Sequence, residues 1–533
     1  MVHAYIFTVA SVLFIAAYVT YKLYFDPLRR FPGPYLASIA DLWRMLDAAL
    51  GAHRPPSDIS LHEKYGDVVR KGPNVLGFAQ PEAVADIYGT DKDYGKSEFY
   101  WTAAPTAGGY ARPSLFSSLD AAWHDNLRRA IQPAFNLSAL LQYEPFVDRT
   151  VESFMREIRS RYADTAGAAG GQRNVMQLHK WMHWYAFDVV GELTYGAPFG
   201  FLRTASDVDG IIEKAHFYLL YNQIVGNMPV LDKLLLKNPV LLWLNRRGYF
   251  NSTSNPVVTF ALSRQNARKE HQRRDSHIDS TRPESQDLLS KFLQAQASHP
   301  ETVTDKEVLG LGISMVLAGS ETTAITLSVC LYHILKNPRI YATLQKELDT
   351  ELRNDDGDGS AGAKEPVSAD VKKPVSFRAA QKLPYLDACI KETFRIHPAA
   401  RFSPERVLPP HETATIAGHH VPGSTVVGVN AWALHRREEI FGNDVETFRP
   451  ERWIAASDGD KARVDRMSRC LFQFGAGRFG CIGKHISLLE LYKVVPSLLL
   501  AFEFGLVDPT MELRFESGSF ANVSGVDVWV RER

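Results

Sequence analysis

Near the C-terminus runs Phe474-Gly475-Ala476-Gly477-Arg478-Phe479-Gly480-Cys481-Ile482-Gly483, and the rest of the chain is organised around it. Its glycines free the backbone, and a helical pattern, Lys484 to Leu500, follows at once. The cysteine is therefore expected at a helix N-terminus, where unpaired N–H groups and the helix dipole favour thiolate over thiol. Glycine on either side lets backbone donors approach the sulfur without a Cβ in the way. Two fates are open to Cys481. One is axial ligation of a haem iron, where a thiolate pushes electron density onto bound oxygen and favours O–O cleavage. The other is a structural cysteine in a glycine turn, and the stretch alone does not choose between them.

The 533 residues are enough for two or three average domains or one large enzyme. With 45% hydrophobic and 23% charged residues the chain has the means for a packed core, which excludes a disordered or fibrous protein. A formal net charge of zero gives no global field for nucleic acid. Cys330, Cys389, Cys470 and Cys481 are too sparse for a disulfide scaffold and fit a body in a reducing compartment. From Ala4 to Tyr21 there is no charged residue, a span of roughly 27 Å as helix, close to the apolar thickness of a bilayer. Lys22, Arg29 and Arg30 follow it, whereas only His3 precedes it, so the bulk is expected on the cytosolic side. A cleaved signal peptide is the alternative. It asks for a basic leading end and a small-residue cleavage site, neither of which is clear here. Phe31-Pro32-Gly33-Pro34 then reads as a stiff joint.

Along the body, Tyr65–Arg70 and Val75–Phe78 read as two strands around Gly72-Pro73-Asn74. Residues 100–118 read as a long binding loop. Trp123 to Arg129 reads as helix, with His124 and Arg128 on one face, either to hold a carboxylate or as a solvated basic face. Trp184 to Leu193 is expected in the core. Residues 211–250 either roof a greasy pocket, dip into a membrane interface or pack as core, and 264–290 reads as an exposed connection. Residues 304–336 form a long helical pattern interrupted in character by Ala318-Gly319-Ser320-Glu321-Thr322-Thr323. There the glycine and hydroxyls are expected to open the hydrogen-bond ladder, with Glu321, Thr322 and water able to relay protons. Residues 354–376 read as a flexible surface insertion. Glu392 and Arg395, three apart, can pair on a further helix. Arg406-Val407, Thr415–Val421 and Thr425–Val429 look strand-like, and Val526–Arg531 alternates like an edge strand.

Four separated motifs thus stand in one order: Ala318–Thr323, Glu392-Thr393-Phe394-Arg395, Phe448-Arg449-Pro450-Glu451-Arg452-Trp453 and Phe474–Gly483. Together they resemble the haem-thiolate monooxygenases of the cytochrome P-450 superfamily from about residue 31 onward. The apolar N-terminus is similar to that of microsomal members. His62-Glu63-Lys64-Tyr65-Gly66, Gly72-Pro73-Asn74 and Cys481–Ser487 resemble a fungal subgroup related to pisatin demethylase.

The resemblance implies a mainly α fold with a small β-rich region after one transmembrane helix. It divides the chain into an anchor with its basic flank (1–30) and a catalytic domain (31–533). It implies haem b with Cys481 as iron ligand, Phe474 shielding the sulfur, and Gly477 and Gly483 giving backbone access. Glu321 and Thr322 would deliver protons; His124, Arg128, Arg406 and Arg478 would meet the haem propionates; and Glu392, Arg395 and Arg452 would form a structural triad. The family usually has arginine two residues before the cysteine. Here Phe479 stands there, with Arg478 one place earlier, and His124 stands where tryptophan is frequent. The expected reaction inserts one oxygen atom of dioxygen into an apolar small molecule, a specialised metabolite, with electrons from NADPH through a separate flavin-bearing reductase. The expected location is the endoplasmic reticulum membrane, single-pass, with the catalytic domain facing the cytosol. The rival readings are a haem-thiolate isomerase or dehydratase, and a haem-binding membrane protein without turnover. Pocket contacts are expected from 100–118, 211–235, 317–322, 399–403 and 517–524.

Overall fold

The computed structural model describes residues 1–51, 53–163, 175–249, 256–274, 286–353, 373–516 and 518–533. Helix α1 (Val2–Tyr24) carries the uncharged run, and its aromatic and aliphatic side chains from Tyr5 to Tyr24 are mostly exposed. It is long and apolar enough to cross a bilayer. The joint after it is non-helical, as its two prolines require, and is fastened to the body where Arg70 N donates to the Pro32 carbonyl at 2.7 Å. Strands β1 (Val68–Gly72) and β2 (Val75–Phe78) pair antiparallel across the expected turn, with a bulge between Arg70 and Gly72. The expected loop at 100–118 instead contains a short helical turn and a small hairpin pairing Thr106–Ala107 with Tyr110–Ala111. Its glycines at 108 and 109 adopt positive φ and make the turn, which a search for a long period cannot register.

A two-residue strand β3 (Gly95–Lys96) leads to helix α2 (Ala121–Ile131), capped by Asp120, whose side chain accepts from Trp123 N. Helix α3 (Leu137–Ile158), strand β4 (Met176–Gln177) and the buried helix α4 (Leu178–Tyr195) follow. Helices α5 (Ile211–Val225) and α6 (Pro239–Arg246) span the apolar 211–250 region, and Phe217, Leu234, Leu235, Val240, Leu241 and Trp243 are exposed there. The stretch expected as a connection from 264 is helical up to 274, as the second half of α7 (Pro256–Arg274). Its Val257 and Ala261 are buried, so tertiary packing overrides the polar composition. Residues 275–285 and 354–372, parts of two expected surface segments, lie outside the described residues.

The long helix α8 (Asp305–Lys336) starts at a capping box between Thr304 and Glu307. It packs more extensively on α4 than any other pair of elements. A Cβ at Gly319 would sit 3.1 Å from Val190 Cγ2, so the glycine lets the two helices approach. The expected opening of the ladder is absent: α8 is continuous through 318–323. Thr322 Oγ1 donates to the Ala318 carbonyl at 2.8 Å, adding to the helix rather than interrupting it. Helix α9 (Pro384–Ile396) precedes strands β5 (Arg406–Val407) and β6 (Val426–Val429). The larger sheet runs β1-β2-β6-β5-β3, with β6 parallel to β2 and every other pair antiparallel. Helix α10 (Lys484–Ala501) leads into β7 (Phe502–Leu506), and β8 (Asp527–Glu532) closes the chain. β8 is not an edge. It lies between β7 and β4, and its alternation reflects one buried face of a central antiparallel strand.

Candidate active site

The loop before α10 places Cys481 two residues ahead of the helix N-cap, Gly483. Cys481 N donates to the Phe474 carbonyl at 2.9 Å, which closes the loop on itself. Gly477, at φ 65°, lies so close to residue 88 that a Cβ there would meet the Tyr88 carbonyl oxygen at 1.9 Å. Its role is close packing as well as conformation. The Phe474 ring stands edge-on to Phe394 at 5.2 Å, with Lys484 Nζ 5.9 Å above its face.

Cys481 is accessible although protein surrounds most of it. Burial pushes its thiol up, opposed by the N–H groups of Gly483 and Lys484 and by the Arg128 and Lys484 charges. The helix terminus favours the thiolate as expected, and burial works against it. A cation at the accessible side of the sulfur is what this donor set lacks, and a coordinating metal removes the proton outright. The residues fit a haem iron in that sense.

Behind the loop stand Arg128, half-buried, and Arg406, buried, with the neutral ring of His124 beside them. Arg128 Nη1 donates to the Gly480 carbonyl at 2.8 Å, tying α2 to the cysteine loop. Burial lowers the Arg128 pKa, and the nearby Cys481 and Asp125 charges offset part of that. His124 is buried, stands edge-on to Phe479 at 4.6 Å and has Nδ1 3.0 Å from Asp125. Burial takes its pKa down to about 4 in spite of that bond. Arg406 is buried with its guanidinium 4.7 Å from the Phe479 centroid, and its Nη1 donates to the Glu405 carbonyl at 2.8 Å. Arg478 is used differently: Nε holds both Asp125 oxygens, at 2.9 and 2.8 Å, and Nη1 reaches Asp93 at 2.7 Å.

The structure adds Lys96. Its Nζ donates to the Leu115 and Phe116 carbonyls at 2.6 and 2.8 Å and lies 4.7 Å from the Phe479 ring. Burial, then Arg406 and Arg128, take its pKa down to about 7. Cations gathered away from solvent in this way are a ready-made receptor for anionic groups. No local motif marks Lys96, because it reaches the site by strand pairing, Lys96 opposite Arg406.

On α8, Glu321 is 1% exposed and turned toward α4 and the C-terminal hairpin. Its Oε2 accepts from Asn522 Nδ2 at 2.9 Å and lies 3.3 Å from His183 Nε2. Although burial opposes it, those two partners keep the Glu321 pKa below the usual glutamate value. Next to it, the hydroxyl of Thr322 is on an accessible surface.

Four of the expected pocket segments meet. Phe116 packs against Phe402 at 5.8 Å and Tyr100 at 5.0 Å, and Phe402 against Phe520 at 6.2 Å. Ser519 N donates to the Leu219 carbonyl at 3.2 Å, joining α5 to the same wall. The wall is aromatic and backed by neutral hydrogen bonds, suited to an apolar molecule.

Beneath the loop, the carboxylate of Glu392 takes five N–H donors, all between 2.8 and 3.0 Å. They are two from Arg395, one each from Arg452 and Trp453, and the Arg449 backbone. Glu392, Arg395 and Arg452 are all wholly buried, so the pair that spacing alone places on a surface is an interior network.

A family model for cytochrome P450 matches residues 39–525. The cytochrome P450 monooxygenase cicH of Emericella nidulans is 34% identical over 529 residues, covering 98% of both chains. A cytochrome P450 monooxygenase of Aspergillus terreus is 35% identical over 483 residues, 89% of this chain and 90% of the relative. The cytochrome P450 monooxygenase cfoH of Aspergillus candidus is 29% identical over 537 residues, 99% of this chain and 93% of the relative. With its helical body, its four motifs in place and these relatives along its whole length, the chain belongs to the cytochrome P450 family as an oxidoreductase of the fungal monooxygenase type.

Proposed function

We propose that residues 1–30 anchor the protein in the endoplasmic reticulum membrane and that residues 31–533 form a cytosol-facing domain. That domain oxygenates an apolar specialised metabolite with electrons drawn from NADPH through a separate flavoprotein reductase. Haem, when bound, supplies activation of dioxygen and transfer of one oxygen atom to a carbon centre. Cys481 would hold its iron, the sulfur steadied by N–H groups of Gly483 and Lys484. His124, Arg128, Arg406 and Lys96 receive the propionates, and Arg478 acts one step back, fixing α2 to the loop through Asp125. Glu321 and Thr322 hold and move protons beside the reacting centre. The aromatic wall at Phe116, Phe402 and Phe520 excludes water and orients substrate. Exposed Tyr35, Leu36, Leu50, Leu234 and Trp243 rest against the lipid interface beside α1, near the route an apolar substrate would take.

The observation that carries this reading is the pairing of an accessible, donor-flanked Cys481 with the cations Arg128, Arg406 and Lys96, linked to it through Arg128. The test is the absorption spectrum of the reduced full-length protein with carbon monoxide. A strongly red-shifted Soret band is expected, lost in Cys481→Ser while haem is still bound. A folded, haem-loaded wild-type protein without that band overturns the reading. With reductase added, NADPH consumption unaffected by any apolar substrate class would favour a haem-binding protein without turnover.

A further inference from the structure

The hydrogen-bond pattern around Glu321 fixes more than its own place. His183 lies on α4, and its Nδ1 is 2.8 Å from the His179 carbonyl, an atom that can only accept, so Nδ1 carries a proton. Its Nε2 faces two oxygens, Glu321 Oε2 at 3.3 Å and Asn522 Oδ1 at 3.1 Å. With Glu321 ionised, turning the Asn522 amide round would set its Oδ1 against the carboxylate, so Nδ2 stays on Glu321 at 2.9 Å and Oδ1 on the His183 side. A ring nitrogen between two acceptors satisfies neither unless it too carries a proton. The geometry therefore asks for an imidazolium at His183 beside a carboxylate at Glu321. Both pKa directions agree: His183 is held above the ordinary histidine value by Glu321 despite burial, and Glu321 is held below the ordinary glutamate value.

The surroundings support one charge pair and little more. On α4, His179 is itself kept neutral by burial, its pKa taken down to about 4, with Lys180 and Asp527 acting on it. From α5, His216 acts weakly on Glu321 and has a partner of its own. The hairpin contributes only the neutral Asn522, whose main chain is fixed by bonds from its N to the Phe520 carbonyl and from Glu516 N to its own carbonyl. α4 and α8 form the largest helix contact in the protein, so the pair sits on rigid elements. His183 keeps 13% of its side chain accessible, whereas Glu321 keeps 1%.

We propose that His183 and Asn522 are the positioning residues of the proton relay: they hold Glu321 as a carboxylate, and His183 recharges it with a proton from the α4 side. The step moves one proton and no electrons. The Nε2 proton passes to Glu321 Oε2, and the neutral imidazole keeps its Nδ1 proton on the His179 carbonyl. After Glu321 gives that proton on toward Thr322, water reprotonates Nε2. The inference rests on the relay role given to Glu321 above.

The test uses the full-length haem-loaded enzyme with reductase, in wild-type, His183→Gln, Asn522→Ala, Glu321→Gln and His183→Gln/Glu321→Gln forms. Infrared spectra of the resting enzyme report the carbonyl stretch of a protonated carboxyl, and the Glu321→Gln background identifies the band that belongs to Glu321. At neutral pH the wild type is expected to lack that band. His183→Gln should gain it and His183→Gln/Glu321→Gln should lose it. The fraction of NADPH electrons reaching product should fall at least about tenfold in His183→Gln, the scale of a lost acid–base group, with a shifted pH profile, and by less in Asn522→Ala. A Glu321 band already present in the wild type overturns the proposal without any His183 variant. So does a His183→Gln enzyme with no such band and coupling within twofold of wild type while Glu321→Gln is impaired. If Glu321→Gln itself couples normally, the relay role falls, and the infrared arm still decides whether His183 holds the carboxylate ionised.

Discussion

Replacing Glu392 with glutamine keeps the side chain's volume and deletes one charge at the centre of a network closed to bulk solvent. Five N–H groups converge on that carboxylate, four of them from side chains that are themselves buried. A glutamine offers one oxygen, while its NH2 turns toward a guanidinium or the Trp453 indole and sets donor against donor. Asp444 holds Arg452 Nη1 at 3.0 Å and retains part of the compensation. Removing one partner of a buried ion pair costs about 3–5 kcal/mol, and the carbonyls of His435 and Val445 that also bind Arg395 keep the loss within that range. An unfolding entropy of about 2.1 cal/mol/K per residue over roughly 490 residues of matched domain gives about 1 kcal/mol/K, hence a Tm lower by about 3–5 °C. Thermal scans of both haem-loaded proteins at one heating rate, followed by far-ultraviolet circular dichroism and by the Soret band, measure it. Adding Arg395→Met to Glu392→Gln should recover part of the loss, since Arg452 keeps Asp444 while Arg395 is the guanidinium left without a carboxylate. A Glu392→Gln protein whose Tm lies within about 1 °C of wild type, with additive double-mutant behaviour, refutes the claim that this carboxylate neutralises the interior guanidinia.

Gly477→Ala forces a Cβ onto the Tyr88 carbonyl and an unfavourable positive φ at once; haem affinity is expected to fall by about 5- to 150-fold, from the roughly 1–3 kcal/mol such strain costs, read as haem content after expression. Lys96→Met should weaken haem retention, followed as transfer to apomyoglobin, more than Arg478→Gln does, because Lys96 belongs to the cation cluster while Arg478 is spent on Asp125 and Asp93. His435 is a buried neutral ring, donating from Nδ1 to the Arg395 carbonyl at 3.2 Å and accepting from Phe472 N at 2.8 Å. Burial takes its pKa down to about 3. As a base whose folded pKa lies below its unfolded value, it contributes stability that is present above pH 6.5 and is lost as pH falls from there toward 3. Tm should therefore decline below pH 6.5, with a shallower acid limb in His435→Asn.

The cysteine loop, the acid–threonine step on α8 and the Glu392, Arg395 and Arg452 positions are legible in sequence because each is a short run whose residue types are fixed by local geometry. What is not legible is set by pairing across the chain. Lys96 meets Arg406 only because β3 and β5 are neighbours in the sheet, and Glu321 finds His183 and Asn522 through a helix crossing and a hairpin. The i,i+3 rule identifies Glu392 and Arg395 as partners but says nothing of their depth, which Arg452 and Trp453 supply from far along the chain. Val526–Arg531 reads as an edge from its alternation, since one buried face gives the same pattern whether a strand has one neighbour or two.

That last strand also bears on how the protein is made. β8 joins β7, which leaves the end of α10, to β4, which opens α4, and Asn522 just before it completes the contact with Glu321. Arg533 N reaches the Ala501 carbonyl at 3.0 Å, so even the final residue is fastened to the helix that begins beside Cys481. The cysteine loop leaves the ribosome before the residues of β8, which support α10 from its far end. Removing β8 is therefore expected to leave a product that keeps every motif while α10 and α4 lose the strand that joins β7 to β4.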